Sequence, residues 1–373
     1  MKIAFWGAAA VIAYTYFGYA AWLWLRGRWF PRPVKTAPCT PLVSIVMVVR
    51  NEAQVLDAKL RNLMELDYPG DRMEIVVASD GSTDATGEIL SGYSGMKRLH
   101  VILNRESRGK AAGINDAIAA ARGESIVFND ARQKMEPQAV RRLVENFSDP
   151  AVGCASGELM LGDPGSGEAA KGMGLYWRIE KKIREWESAS GSVVGATGAL
   201  YAVRRNLLVP VPPETILDDV YLPMQVARQK MRVVFDPRAR AWDLPNLGAG
   251  HEFARKVRTL SGNYQLLQLL PWLLRKQNPL RFRFVSHKLL RLLVPLALAT
   301  ALLTSCFLAE PVYRVALVLQ LAFYALGLLA MAQLVRGPLA RLADPAFTFV
   351  VLNGAAVVAF ANFVTRRRAV WIR

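Results

Sequence analysis

The chain has 373 residues, 47 lysines and arginines against 30 acids, a net charge of +17 and a hydrophobic share of 53%. That length allows one large domain or two ordinary ones with an ample core, while the apolar excess, concentrated at the two ends, excludes an ordinary soluble protein. The charge alone is compatible with nucleic acid, but many basic residues flank apolar segments, where an anionic membrane surface accounts for them more simply. No nucleic-acid-binding motif is present, so membrane lipids and not nucleic acid are expected as partners.

The first apolar stretch, Phe5 to Leu25, carries no charge and has about the 20 residues that a bilayer-crossing helix needs. It is long for a signal peptide, and its charge lies downstream. Trp22, Trp24 and Trp29 stand beside Arg26, Arg28, Arg32 and Lys35 as an interfacial belt, and the positive-inside rule places that end in the cytoplasm. Residues 1–40 therefore read as an anchor and basic linker, and 41–263 as a cytoplasmic domain.

Within that domain LVSIVMVV is a continuous β-branched apolar run, the pattern of a strand buried on both faces of a parallel sheet. NEAQVLDAKLRNLMEL follows with helical spacing and Asn51 as a candidate cap. EIVVAS, LHVILN and ESIVFN are further strands, with helices near Thr83 to Leu90, Lys110 to Ala121 and Pro137 to Asn146. Strand and helix in turn predict an α/β fold with a doubly wound, mostly parallel sheet, whose ligands bind beyond the carboxyl ends of the strands. GDPGSGE, from Gly162 to Glu168, reads as a flexible loop.

At those strand ends stand Arg50-Asn51-Glu52, Ser79-Asp80-Gly81-Ser82 and Asn129-Asp130. Each alone has a bland reading as a turn or a helix cap. Acids converging from three strands on one edge of a sheet form the kind of constellation that holds a ligand. The dinucleotide fingerprint is absent, since VVRNEA has no glycine, and Gly109-Lys110 lacks the rest of a phosphate-binding loop. Cys39, Cys154 and Cys306 and the three histidines His100, His251 and His287 are scattered, so neither a disulfide framework nor a zinc site is expected.

SIVMVVRNE, VVASDGSTDAT, NRESRGKAAGINDAI, IVFNDARQ, GATGALYAVRR and ILDDVYLPMQVARQKMRVVFDPRA follow one another in the order seen in membrane-anchored family 2 glycosyltransferases. The chain resembles that family over most of the soluble domain, and its flanking segments match relatives such as the cellulose, hyaluronan and poly-N-acetylglucosamine synthases. The resemblance implies a GT-A, nucleotide-diphospho-sugar transferase fold. It implies inverting transfer from a nucleoside-diphosphate sugar, expected to be a UDP-sugar, to a lipid-linked or glycan acceptor. It further implies that Glu52 and Asp80, with Arg50 alongside, hold the nucleotide, that Lys110 approaches the donor, and that Asp130 lies by the diphosphate. Asp218 and Asp219 correspond to the family's catalytic dyad, with Asp219 as the general base that takes the acceptor hydroxyl's proton. Gly198 falls by the diphosphate and acceptor, as do Arg255 and Arg258 in RKVRTL, where relatives carry a Q-x-x-R-W element. Arg255 replaces the Gln there and Thr259 the Trp, which calls long-chain polymerisation into question.

In the family's D-x-D element Arg132 replaces the second acid. Three readings are open: Asp130 binds Mg2+ or Mn2+ with the diphosphate and waters as other ligands, Arg132 itself supplies the positive charge on the phosphates, or Arg132 turns away to pair with an acid. Reduced metal dependence ranks slightly ahead. Toward the end of the chain, residues 264–285 are too interrupted by Pro271 and basic residues to span, and read either as a helix in the bilayer interface or as one packed on the domain. Residues 286–373 form a C-terminal membrane domain of two to three spans, from Leu289 to Ala309, Val315 to Val335 and Ala346 to Val364. Three full crossings would leave TRRRAVWIR outside, against the positive-inside rule, so the last segment is re-entrant, interfacial or an exception. The expected location is the cell inner (plasma) membrane, multi-pass, with the catalytic domain cytoplasmic. The competing readings are a non-catalytic nucleotide-sugar-binding subunit of a glycan synthase, a processive polysaccharide synthase and a basic membrane scaffold.

Overall fold

A computed structural model describes residues 1–162, 175–243, 249–332, 334, 335 and 339–365. The GDPGSGE loop lies outside this description except for Gly162. The chain opens with helix α1 (Lys2–Trp29). The domain then runs β1 (Val43–Val49), α2 (Ala53–Met64), β2 (Met73–Asp80), α3 (Thr86–Gly92), β3 (Leu99–Asn104), α4 (Lys110–Ala120), β4 (Ser125–Asn129), β5 (Lys134–Met135) and α5 (Ala139–Glu145). It continues with β6 (Val152–Leu161), α6 (Leu175–Ala189), β7 (Leu200–Arg204), α7 (Asp218–Arg228), β8 (Arg232–Asp243) and α8 (Ala249–Leu269).

The strands form one eight-stranded sheet in the order β3-β2-β1-β4-β7-β6-β8-β5. β1 pairs in parallel with β2 and β4, and β2 with β3. Every residue of β1, β2 and β4 is buried, as their unbroken apolar runs require of strands covered on both faces. The doubly wound expectation describes this half. Beyond β4 the sheet is mixed: β7 runs antiparallel to β4 and β6, and β5 antiparallel to β8, while β6 and β8 are parallel. Helices still separate the later strands, α5 before β6, α6 before β7 and α7 before β8, but β7 enters antiparallel between β4 and β6, and there the parallel winding stops.

One apolar layer sets Leu56, Leu60 and Leu63 of α2 and Leu143 of α5 against Ile45 and Met47, and the other sets Ile114 of α4 and Met224 of α7 against Val46 and Val48. Each fully buried side chain of this size contributes roughly 1.5–3 kcal/mol. Asn51 does not cap α2, which begins at Ala53. Its backbone is left-handed at φ 54°, and its Oδ1 accepts the Thr83 amide at 2.8 Å, joining the loops after β1 and β2. Of the two readings for residues 264–285, packing is what the structure describes. Leu266, Leu270, Trp272, Leu273, Leu280 and Phe284 are buried in the same cluster as Val48 and Tyr221.

The remaining helices are α9 (Arg281–Phe307), α10 (Pro311–Met331) and α11 (Ala340–Val364). Together with α1, four helices are long and apolar enough to cross a membrane, by length and composition. At the end away from the domain, Lys2 pairs with Glu310 and Phe5 meets the Tyr313 ring edge-on at 4.8 Å. Nearer the domain, the Tyr14 hydroxyl is 2.8 Å from Ser286 Oγ. Helix α11 differs from the others. Phe349 touches Tyr16 and Phe323, and Phe363 stacks on Tyr264 of α8 at 4.9 Å. The neighbouring Gln265 accepts the Ile216 amide at 2.9 Å, so the last turn of α11 rests on the domain side and not beside Glu310.

A buried polar chain clamps α1, α6 and α9 together. Glu187, fully buried on α6, accepts the Tyr19 hydroxyl at 2.5 Å and faces Nδ1 of His287 at 2.9 Å. His287 Nε2 lies 2.9 Å from Glu180, which also accepts from Arg291 at 2.8 Å. Arg283 donates to the carbonyls of Ser192 at 2.7 Å and Ser190 at 2.9 Å. Burial opposes charge on both glutamates, yet His287, with Tyr19 at Glu187 and Arg291 at Glu180, holds their carboxyls below the usual range. Removing one member of such a chain strands the others without partners. Glu187→Ala is expected to destabilise the protein by about 3–5 kcal/mol, seen as a lower melting temperature in detergent by tryptophan fluorescence. An unchanged melting temperature would show that the chain contributes nothing.

Candidate active site

The site is assembled around Lys110. Gly109, at φ 91°, takes a left-handed conformation that turns the chain into α4 and puts Lys110 in its first turn. The Lys110 ammonium lies 3.0 Å from Asp130 Oδ1 and 3.5 Å from Asp218 Oδ1, bridging the ends of β4 and α7. Burial works against its charge, but Asp130 and Asp218 outweigh burial and lift the lysine pKa above its ordinary value. The loop before it is fastened by Asp80. That buried carboxylate accepts the Ser107 hydroxyl at 2.8 Å and the amides of Arg108 at 2.7 Å and Gly109 at 3.0 Å. Gly81, at φ 61°, passes so close to the Ser107 amide that any side chain would strike it.

Asp218 and Asp219 open α7. Asp218 is buried against Lys110, whereas Asp219 is partly exposed. Burial, and then the charge of Asp218, raise the Asp219 carboxyl to about 6, with Lys110, Lys288 and Arg184 acting in the opposite sense. Gly198 stands against it, since a Cβ there would lie 3.1 Å from Asp219 Oδ2. The buried Tyr201 ring stacks on Phe128 at 4.6 Å, and its hydroxyl has no hydrogen-bond partner among the described residues.

Arg132 follows the third of the readings open for it. Its Nε is 3.2 Å from both oxygens of Glu52, and its side chain is half exposed. The segment carrying Asp130 and Arg132 is supported from below by α2. The buried Lys59 donates to the Gln133 carbonyl at 2.6 Å, and Asn62 bonds Met135 in both directions. Burial pushes the Lys59 pKa down to about 7, against the pull of Asp130. Lys110 thus occupies the place between Asp130 and Asp218, and Arg132 takes up Glu52. Among the described residues no group of three acids, histidines or cysteines is placed to hold a metal by protein ligands alone. These side chains do not fit a divalent ion held by several protein ligands.

Lys110, Asp130, Gly198, Asp218 and Asp219 therefore meet in one place, with Asp80 behind the loop and Glu52 paired to Arg132 alongside. Arg50 follows β1, with its Nε buried and without a partner among the described residues. Arg255 of α8 pairs with Asp243 at 3.9 Å, outside the Lys110 cluster, and Arg258 is partly buried on the same helix. A cavity of about 900 Å³ opens by Cys39, Glu124 and Arg205, at the start of β4 and away from these groups. Sequence reasoning did not single out Lys59, Tyr201, Arg184 or Lys288. The last two are basic residues on α6 and α9, indistinguishable by composition from ordinary membrane-flanking charge.

Residues 44–209 match Glycosyl transferase family 2. The chain carries a family 2 glycosyltransferase domain. Curated relatives include the poly-β-1,6-N-acetyl-D-glucosamine synthases of Staphylococcus aureus (strain COL) and Staphylococcus epidermidis, each 23% identical over 229 residues, 60% of this chain and 55% of the relative. The chain thus spans about half the length of the curated relatives it matches. A mannosyltransferase from Pyrobaculum calidifontis, solved in complex with GDP-Man and Mn2+, superposes with a TM-score of 0.74 over 96% of this chain and 98% of its own, at 22% identity. The GT-A arrangement with flanking apolar helices is shared over almost the whole length.

A base must be ionised to accept a proton, so raised carboxyls leave a mark on rate. Glycosyl transfer should rise with pH along an acid limb centred near 6, the value at Asp219. Initial rates between pH 4.5 and 8 check this. A limb centred near the ordinary carboxylate value would show that Asp219 does not set it.

Proposed function

We propose that the chain transfers a sugar from a nucleoside-diphosphate sugar to a membrane-associated acceptor with inversion at the anomeric carbon. The observation that carries this reading is the division of labour in the acid pair. Asp218 is held by the Lys110 ammonium, while Asp219 stays partly exposed with its carboxyl raised to about 6. A raised carboxyl is a better proton acceptor at neutral pH than an ordinary one. As the acceptor oxygen attacks the anomeric carbon, Asp219 takes its proton and the bond to the nucleoside diphosphate breaks. Lys110, Arg50 and Arg258 are the cations assigned to the leaving diphosphate, and Glu52 and Asp80 remain the assigned nucleotide contacts. The Pyrobaculum enzyme was solved with Mn2+. In this chain Arg132 stands where the second acid of that element would lie, so no step is assigned to a metal. Thr259, in the place of the family's Trp, favours single or short additions over long-chain synthesis.

We further infer that the domain faces the cytoplasm at the inner membrane, that α1, α9 and α10 cross it, and that α11 lies along its inner side. The stacking of Phe363 on Tyr264 supports this, because it keeps the end of α11 beside the domain, the side the positive-inside rule assigns to basic residues. The charge conflict of three C-terminal crossings then disappears.

Asp219→Asn keeps size and hydrogen bonding but removes the basic oxygen, so turnover should fall by ~10²-fold or more with donor binding retained. Near-normal turnover would pass the role to another acid. Lys110→Ala should instead weaken binding of the nucleoside diphosphate. For topology, a membrane-impermeant maleimide should label Thr365→Cys, in a Cys306→Ser background, only in inside-out vesicles. Labelling from the outside would mean that α11 crosses.

A further inference from the structure

We propose that Asn115 of α4 and Gln265 of α8 are positioning residues for the acid pair, two carboxamides that fix the segment from Val211 to Leu217 and so set where Asp218 and Asp219 stand. The inference rests on the reading of Asp219 as the base and names what holds that base in place.

The sequence explains why side chains take this role. The stretch from Pro210 to Ile216 reads PVPPETI, and its three prolines have no N–H to give to a neighbouring strand. The peptide groups that remain still need partners. A carboxamide offers a donor and an acceptor in one plane, as the edge of a strand does. Asn115 accepts the Val211 amide on Oδ1 at 2.8 Å and donates from Nδ2 to the Val211 carbonyl at 2.8 Å. Gln265 accepts the Ile216 amide on Oε1 at 2.9 Å and donates from Nε2 to the Glu214 carbonyl at 2.9 Å. Between the two grips Glu214 holds a left-handed backbone at φ 62°, uncommon for a residue with a side chain.

The helices that carry the two amides tie the segment to the site. Asn115 lies on the helix that opens with Lys110, the cation between Asp130 and Asp218. Gln265 lies on α8, whose Gly262 passes so close to the segment that a Cβ there would stand 2.5 Å from Leu217 Cγ. Leu217 directly precedes α7, and the Asp219 carbonyl accepts the Ala196 amide at 2.7 Å, which fixes the loop leading to Gly198. The acid pair is therefore placed from α4 on one side and α8 on the other. Neither amide is assigned a contact with substrate, so the role is placement, and a misplacement of about 1 Å at a reacting group can cost ~10²-fold in rate. The charges that act on Asp219 are those of Asp218 on α7, Lys110 on α4, Lys288 on α9 and Arg184 on α6. Loosening the segment lets water reach the carboxyl and returns it toward its ordinary value.

The test uses the full chain in detergent, with UDP-N-acetylglucosamine and GDP-mannose as donor probes and release of the nucleoside diphosphate as the rate. Gln265→Leu and Asn115→Leu keep size and remove both bonds. Each should lower kcat ~10-fold or more with KM for the donor within about twofold, and should move the acid limb from near 6 to lower pH. Deuterium exchange, read by mass spectrometry, should quicken over residues 214–221 and stay unchanged in β1 and β2. Gln265→Glu keeps the acceptor for the Ile216 amide and should lose less than Gln265→Leu, so it carries the comparison if the leucine variant does not fold. Unchanged exchange, or faster exchange with parental kcat, overturns the proposal. So does a loss of rate that follows the melting temperature alone while the limb stays near 6. Asp219→Asn separates the two readings. Parental turnover in that variant counts against the base, and its loss there with parental turnover in Gln265→Leu counts against the clamp.

Discussion

The ammonium of Lys110, set between Asp130 and Asp218, is the contact on which the catalytic face depends. Without a cation there, three carboxylates from β4 and α7 would crowd one sheet edge, and at least one of them would have to stay protonated. With it, Asp218 is paired and the raised pKa falls on Asp219, the acid that Gly198 leaves accessible. The rest of the local architecture serves that placement. The left-handed Gly109 aims the lysine, and Asp80 ties down the three residues before it.

The same face is joined to the membrane by strong and well-buried contacts. Tyr19 of α1, Glu187 and Glu180 of α6, and His287 and Arg291 of α9 form one hydrogen-bonded chain, and Arg283 locks the following loop. The helix that carries Arg184 to the 196–198 loop is thereby fixed to the helices that border lipid. The apolar helices are thereby packed onto the domain that carries the site.

Much of this was legible in the sequence, and for physical reasons. Strands buried on both faces leave unbroken apolar runs, so β1, β2 and β4 could be placed almost to the residue, as could the partly exposed edge strand β3. Acids and Gly109 at the ends of such strands mark a ligand edge, and the ordered motifs carried the family. What could not be read was contact across the chain. Asp80 has the look of a ligand group, and only the fold shows that its carboxylate also fastens the 107–109 loop. Asn51 has the look of a cap and instead joins two loops, because its positive φ is invisible in the sequence. Arg132 could be assigned three roles, and its pairing with Glu52, 80 positions away, is a tertiary fact. The sequence of α11 has the length of a span, but its stacking on Tyr264 depends on where α8 docks.

On the proposed reading Asp219 is the base, and among the described residues the acids beside it, Asp218 and Asp130, share the Lys110 ammonium, so a single displacement with inversion is the expected course. The most direct measurement is the anomeric configuration of the transferred sugar, read by proton NMR on product made from an α-linked nucleotide sugar. A β-linked product is the predicted result. An α-linked product would require a covalent intermediate or a front-face route and would contradict the assignment of Asp219.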